Sequence, residues 1–232
     1  QIPFENGIND TNLISASSSL RNTVYFNRSN PIYGLNYTFR ANQNKNILTS
    51  GFEGRSFSSK LIDFRWNIAK KITFRNKAEL SNKSKISEIS TANNYELTSQ
   101  IIEPKLTYQK GSKFRISIIS AFKNKNNIDS LGGENAKFKK LGCEMTYNMI
   151  SKGRMTAGLD YISTIFSGDQ SGSSPLLFDM LEGFQIGTNY TWRSTYQRSF
   201  KNNFQISFRY EGRYSETSKT VHTGNMQVQL LF

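Results

Sequence analysis

The sequence predicts an all-β protein: a transmembrane antiparallel up-and-down β-barrel of about twelve strands. Three observations lead there. Apolar residues recur at every second position through most of the chain, the side-chain period of a strand with two unlike faces. No stretch approaches the roughly 20 apolar residues that a spanning helix needs; the most apolar runs are as short as "SIIS" and "PLLFDML". The alternation also runs through the final "NMQVQLLF", where the end of a soluble domain usually frays.

Residues 1–18 read as an N-terminal segment, periplasmic or tucked into the lumen, and 19–232 as the barrel. The first strand is expected near 19–28. "YGLNYTFR" then sets Tyr33, Leu35, Tyr37 and Phe39 against Asn36, Thr38 and Arg40. Short connectors are expected at "RSNP" and at "RSFSSK" (55–60). "IDFRWNIAK" sets Ile62, Phe64, Trp66 and Ile68 against Asp63, Arg65 and Asn67, and "KITFRNKAEL" sets Ile72, Phe74, Ala78 and Leu80 against Thr73, Arg75, Lys77 and Glu79. In 94–109 the apolar parity switches between Leu97 and Ile102, which predicts a bulge there or near Pro104. "KFRISIISAFK", "FQIGTNYTWRSTYQ" and "NFQISFRYEGRYS" restore the alternation, the last broken only by Gly212. The final strand is expected to pair with 203–215 on one side and with 19–28 on the other.

A soluble sandwich or lipocalin-like barrel would share this period with its apolar face inward. Two features favour the membrane. The polar face sets Arg against Asp or Glu, as an enclosed lumen would. Aromatics (Phe39, Tyr108, Phe122, Tyr147, Tyr214, Phe232) fall near the ends of the apolar ladders, where interfacial girdles belong. Connector lengths give an orientation. Tight turns are expected near 69–70, 109–112, 151–153 and 201–202, and longer polar connectors at 82–93, 124–135, 167–182 and 215–222. With Phe232 on the periplasmic side, the long connectors face out of the cell.

The terminal ladder resembles the C-terminal sorting signal of bacterial outer-membrane barrels, with Met226, Val228, Leu230 and Phe232 in the apolar positions. That resemblance implies the barrel-assembly machinery as a partner during biogenesis, outer-membrane lipid as the surroundings and the cell outer membrane as the location. A second resemblance rests on Ser174, Pro175, Met180, Leu181, Glu182 and Gly183, with Tyr210 to Arg213. These are similar to the C-terminal barrel of large, mostly uncharacterised surface proteins of the Bacteroidota. It implies a barrel that ends a longer chain, and it implies no activity. Gln1 reads as the new end left by a processed signal peptide or as the start of a fragment.

The 232 residues carry a formal net charge of +13, but Lys and Arg are scattered rather than gathered in a patch, so nucleic acid is not an expected partner. One cysteine and one histidine leave no disulfide framework and no metal-ligand set; no cofactor is expected. Cys143 falls on the lipid face as a small apolar residue. His222 is expected in the last outer loop beside Ser215, Glu216, Ser218, Thr220 and Thr223. A rim enzyme built on it is the weakest functional reading, and no catalytic residue is expected. The lumen charge network is expected from Arg40, Glu53, Arg55, Asp63, Arg65, Arg75, Glu79, Arg115, Glu144, Asp160, Arg193, Arg209, Glu211 and Arg213. As a salt-bridged plug it makes the barrel a scaffold or anchoring subunit of a larger protein or complex. As an open ring of cations it makes a small anion-favouring channel. Pro175, Leu176, Leu177, Phe178, Met180 and Leu181 are too apolar for a free loop. They read as a loop folded over the barrel mouth, as a short helix packed on the rim, or as a docking patch for a protein partner.

Overall fold

A computed structural model describes residues 14–48, 51–91, 94–129, 132–149, 153–168, 175–200 and 204–230. Over these residues the chain is all-β, with eleven antiparallel strands that follow one another in a single up-and-down sheet. They are β1 (Ile14–Phe26), β2 (Tyr33–Leu48), β3 (Gly51–Ala69), β4 (Ile72–Ser87), β5 (Tyr95–Lys110), β6 (Phe114–Asn127), β7 (Asn135–Met149), β8 (Gly153–Ser167), β9 (Gly187–Phe200), β10 (Phe204–Ser215) and β11 (Ser218–Leu230), with one short helix, α1 (Pro175–Leu181), between β8 and β9.

Two expectations about strand count are corrected. "RSFSSK" is not a connector: β3 runs through it from Gly51 to Ala69, pairing Arg55 with Asn44 and Lys60 with Phe39. Its serines look like turn residues, but the run alternates in register with β2. The segment 215–222 is not a long loop either. Ser215 and Ser218 are register partners across a two-residue hairpin, and His222 lies within β11 opposite Gly212. Polar composition alone cannot separate a loop from a solvated strand end.

The predicted pairing of the last strand with 203–215 is present, whereas its pairing with the first strand is absent among the described residues. Because the strand number is odd, β1 and β11 run in the same direction. The start of β1 therefore lies at the rim with the longer connectors, opposite the end of β11, and not at the tight-turn rim. With that count the 27–32 connector lies with 70–71 and 111–113 at the tight-turn rim.

No bulge occurs in β5. Its register with β4 is continuous, and the ladder with β6, which begins at Leu97, is interrupted only at Glu103 and Pro104, as expected where proline has no N–H to give. The parity switch has a different cause. Tyr95 and Leu97 point to the face that carries α1 and enter its one apolar cluster with Ala136, Phe138, Ile162 and Met180, flanked by Phe166, Leu176 and Phe184.

The face carrying α1, here the inner face, is mostly polar elsewhere, with Ile119 a buried exception, and holds most of the buried groups: Thr38, Ser59, Asp63, Ser117, Asp160 and Asn189 are all buried. The outer face is apolar and exposed, with Leu35, Tyr37, Ile62, Trp66, Leu106, Ile118, Leu141, Leu159, Phe208, Met226 and Val228 open to the surroundings. This is the reverse of a water-soluble sheet, which buries its apolar side.

Candidate functional site: the inner face and its rim helix

The inner face is built from side chains at alternate positions, and the register decides which charges meet. Arg75 on β4 donates through Nε to Asp63 on β3 at 2.6 Å and makes a second contact to the same carboxylate. Arg193 on β9 reaches Asp160 on β8 at 3.0 Å and extends over β8 to Glu144 on β7. Gly158 lies beneath it, where a Cβ would come within 3.1 Å of the guanidinium. Lys105 reaches Glu144 across β6 at 3.0 Å, and Lys140 reaches Asp160 at 3.1 Å. Small residues on the intervening strands let long side chains lie flat between non-adjacent strands.

The sequence-predicted network divides into three groups. Asp63, Arg75, Glu144, Asp160 and Arg193 form inter-strand pairs. Glu53 with Arg55, at 2.9 Å, and Arg209 with Glu211, Nε to Oε1 at 2.8 Å, pair along one strand instead. Arg40, Arg65, Glu79, Arg115 and Arg213 face inward without an ion pair among the described residues. Arg65 donates to the Asn30 carbonyl at 2.8 Å, and the Arg40 Nε is buried without a partner. Lysines missing from the prediction are as important as the arginines: Lys83, Lys85, Lys105, Lys123, Lys125 and Lys140 all join ion pairs. Counting parity without a break through β5 would have revealed Lys105; the expected bulge hid it.

α1 is tied to the inner face by charge and by apolar packing. Asp179 accepts from Lys83 at 2.8 Å and from the Tyr95 hydroxyl, while Lys125 donates to the Asp179 backbone carbonyl. Glu182 sits just past the helix with a left-handed φ of 55° and takes Lys123 and Lys125, each at 2.8 Å. Burial alone would raise the Asp179 carboxyl, but the hydrogen bonds from Lys83 and Tyr95 outweigh it and hold the group below its ordinary range. At Glu182 burial is likewise outweighed by Lys123 and Lys125. Met180 is fully buried and Leu181 nearly so. Leu176 and Leu177 are half-buried, Pro175 is exposed, and Phe178 is 69% exposed at the edge of a cavity it shares with Phe57, Leu97 and Ile101. The helix thus lies over the long-connector end of the inner face.

His222 does not stand beside the hydroxyls expected of it. On the outer face its Nδ1 lies 2.8 Å from the Tyr210 hydroxyl. The ring stacks on Tyr210 and approaches Trp192 at 5.7 Å between centroids. Ser215 and Ser218 bond each other. Among the described residues no serine or threonine hydroxyl hydrogen-bonds to His222. Met226, Val228 and Leu230 of the expected assembly signal are exposed on the outer face; Phe232 lies outside the described residues. Cys143 is exposed there too, between Ile118 and Leu159 on the flanking strands.

The chain matches no family model, and no curated protein matches it.

Proposed function

We propose that this sheet is the wall of a bacterial outer-membrane β-barrel that acts as a scaffold or anchoring subunit, with a largely occluded lumen. The observation that carries the reading is the sidedness: the apolar face is turned outward and the charged face inward. Eleven strands at about 4.8 Å spacing, with an apolar band about 25 Å tall, present on the order of 1,200 Å². The largest apolar patch of a soluble monomer is about 300–600 Å². On β10 the outer positions from Phe204 to Tyr214 are apolar or glycine throughout. Ten steps of about 3.3 Å, tilted by about 40°, give that band height. Aromatic rings mark its two edges. Tyr161, Tyr190 and Tyr214 form a row across three strands at 5.4 and 6.2 Å, and Phe200 and Phe204 pair at 5.7 Å near the tight-turn rim.

A wall in lipid must leave no backbone edge unpaired. Since β1 and β11 run in the same direction, all-antiparallel closure takes one strand more, running from the tight-turn rim to the long-connector rim; eleven and one make the twelve that the sequence predicts. In this reading the long connectors face out of the cell, and Met226, Val228 and Leu230 contribute to an assembly signal. α1 across one end and the ion pairs below it favour occlusion over the alternative of an anion-favouring channel.

The native cysteine tests the membrane reading without mutagenesis. A nitroxide on Cys143 is expected to relax strongly with oxygen, which partitions into lipid, and weakly with a water-soluble nickel chelate. The opposite ratio in reconstituted vesicles overturns the proposal.

A further inference from the structure

We infer that the tight-turn half of the inner face holds a binding site for a tetrahedral oxyanion of the phosphate class, centred on Arg65 and Arg115. The argument begins with register. Arg65 on β3 is directly opposite Arg75 on β4, and Arg75 is directly opposite Lys105 on β5. Like charges in directly opposed cross-strand positions repel, and here three stand in one row. They line a cavity of about 400 Å³ together with Lys77 and Arg115, against only Glu103 and Glu144. That volume lies within the range of small-ligand pockets, about 300–1,000 Å³.

The carboxylates nearby are already committed. Asp63 is held by Arg75. Glu103 faces Lys77 at 3.5 Å. Glu144 is divided between Lys105 and Arg193. Nothing remains for Arg65 and Arg115, which have no carboxylate partner among the described residues.

Arg65 is nevertheless held in place. Its Nη2 donates to the Asn30 carbonyl at 2.8 Å, and its guanidinium lies over Gly34, where a Cβ would meet Nη2 at 3.2 Å. The 27–32 connector presents that carbonyl through a turn in which Asn27 takes a left-handed φ of 53° and the Asn30 N–H donates to the Asn27 carbonyl. A guanidinium fixed by one N–H, with the rest of its fork unspent, suits bidentate recognition of phosphate or sulfate oxygens. Thr73, Thr107 and Ser117 add neutral hydroxyls to the same lining. An anion bound there would supply the counter-charge that Arg65 and Arg115 lack. The site depends on the inner-face geometry and not on the surroundings of the outer face.

The test uses the full chain in detergent micelles, titrated calorimetrically with inorganic phosphate against chloride at matched ionic strength. Saturable phosphate binding that chloride does not reproduce is expected. Arg65→Gln and Arg115→Gln should each weaken it by about tenfold or more, the loss of a charge-assisted hydrogen bond; Lys139→Gln, on the outer face, should leave it unchanged. No saturable binding, an equal response to chloride, or undiminished affinity in the double arginine variant overturns the inference. The comparison with chloride needs only the wild-type chain, so it decides the matter even if a variant fails to fold.

Discussion

Met180→Ala is the sharpest perturbation of the rim helix. Met180 is fully buried against Tyr95, Leu97, Ala136, Phe138 and Ile162, so truncation removes packing that the surrounding strands cannot recover by collapsing. A buried Met→Ala change costs about 2–5 kcal/mol. That loss falls on the docking of α1 and not on the strand ladder, whose hydrogen bonds it does not touch. At about 1.4 kcal/mol per factor of ten, even the lower limit raises the undocked population about 30-fold. Hydrogen exchange reads this directly, because the Glu182 N–H donates to the Phe178 carbonyl at 2.8 Å and the Phe184 N–H to the Leu181 carbonyl at 3.0 Å. Exchange of the 176–186 amides should speed up by about that factor in the regime where it follows the open population. Phe178→Ala, which removes a ring that is 69% exposed, should leave the rate close to that of wild type. Equal rates in wild type and Met180→Ala, or equal acceleration in both variants, refute the claim that Met180 anchors the helix.

Acid should release the same helix. The Asp179 and Glu182 carboxyls lie below their ordinary values of 3.8 and 4.5 in the folded chain. Their contribution is therefore complete above the ordinary values and is lost as pH falls through the lowered ones. Protection of the 176–186 amides, corrected for intrinsic exchange, should be complete above about pH 5 and should fall as pH drops through the lowered values, while strand amides stay protected. Gly212→Ala should destabilise the sheet by about 1–3 kcal/mol, because a Cβ there would lie 2.2 Å from the Trp192 indole and would drive it from His222. Gly224→Ala, with nothing within 4 Å, is the control, and denaturant unfolding followed by tryptophan fluorescence measures both. Cysteines at Ser19 paired in turn with Thr223, Asn225 or Gln227, in a Cys143→Ser background, should not form an intramolecular disulfide if a further strand separates β1 from β11. Ready oxidation of any pair refutes the added strand.

The local alternation decided a great deal on its own. Which of the two faces a side chain shares with its neighbours follows from parity within its strand: Asp63, Arg75, Asp160 and Arg193 fall on the polar face, and Cys143 and the Met226–Leu230 ladder on the apolar one, as alternation requires. The same holds for the all-β class, since no helical period competes over most of the chain. The short helix was legible as one of three readings of an apolar run in a polar connector, beside a loop over the barrel mouth and a docking patch. What the sequence could not supply depends on partners distant along the chain. Parity assigns a face but not a register, so Glu53 and Arg55 could not be told from an inter-strand pair, nor could Lys105 be matched to Glu144 across β6. The break in alternation at Leu97 resembles a bulge until α1, some 80 residues later, is seen to need an apolar seat. Turn position is similarly undetermined where serines can serve as strand or turn, which is why β3 and β11 absorbed segments that read as loops and carried His222 into a strand. Tertiary structure decided those points, because only the opposing strand fixes which residues exchange backbone hydrogen bonds and therefore which side chains meet.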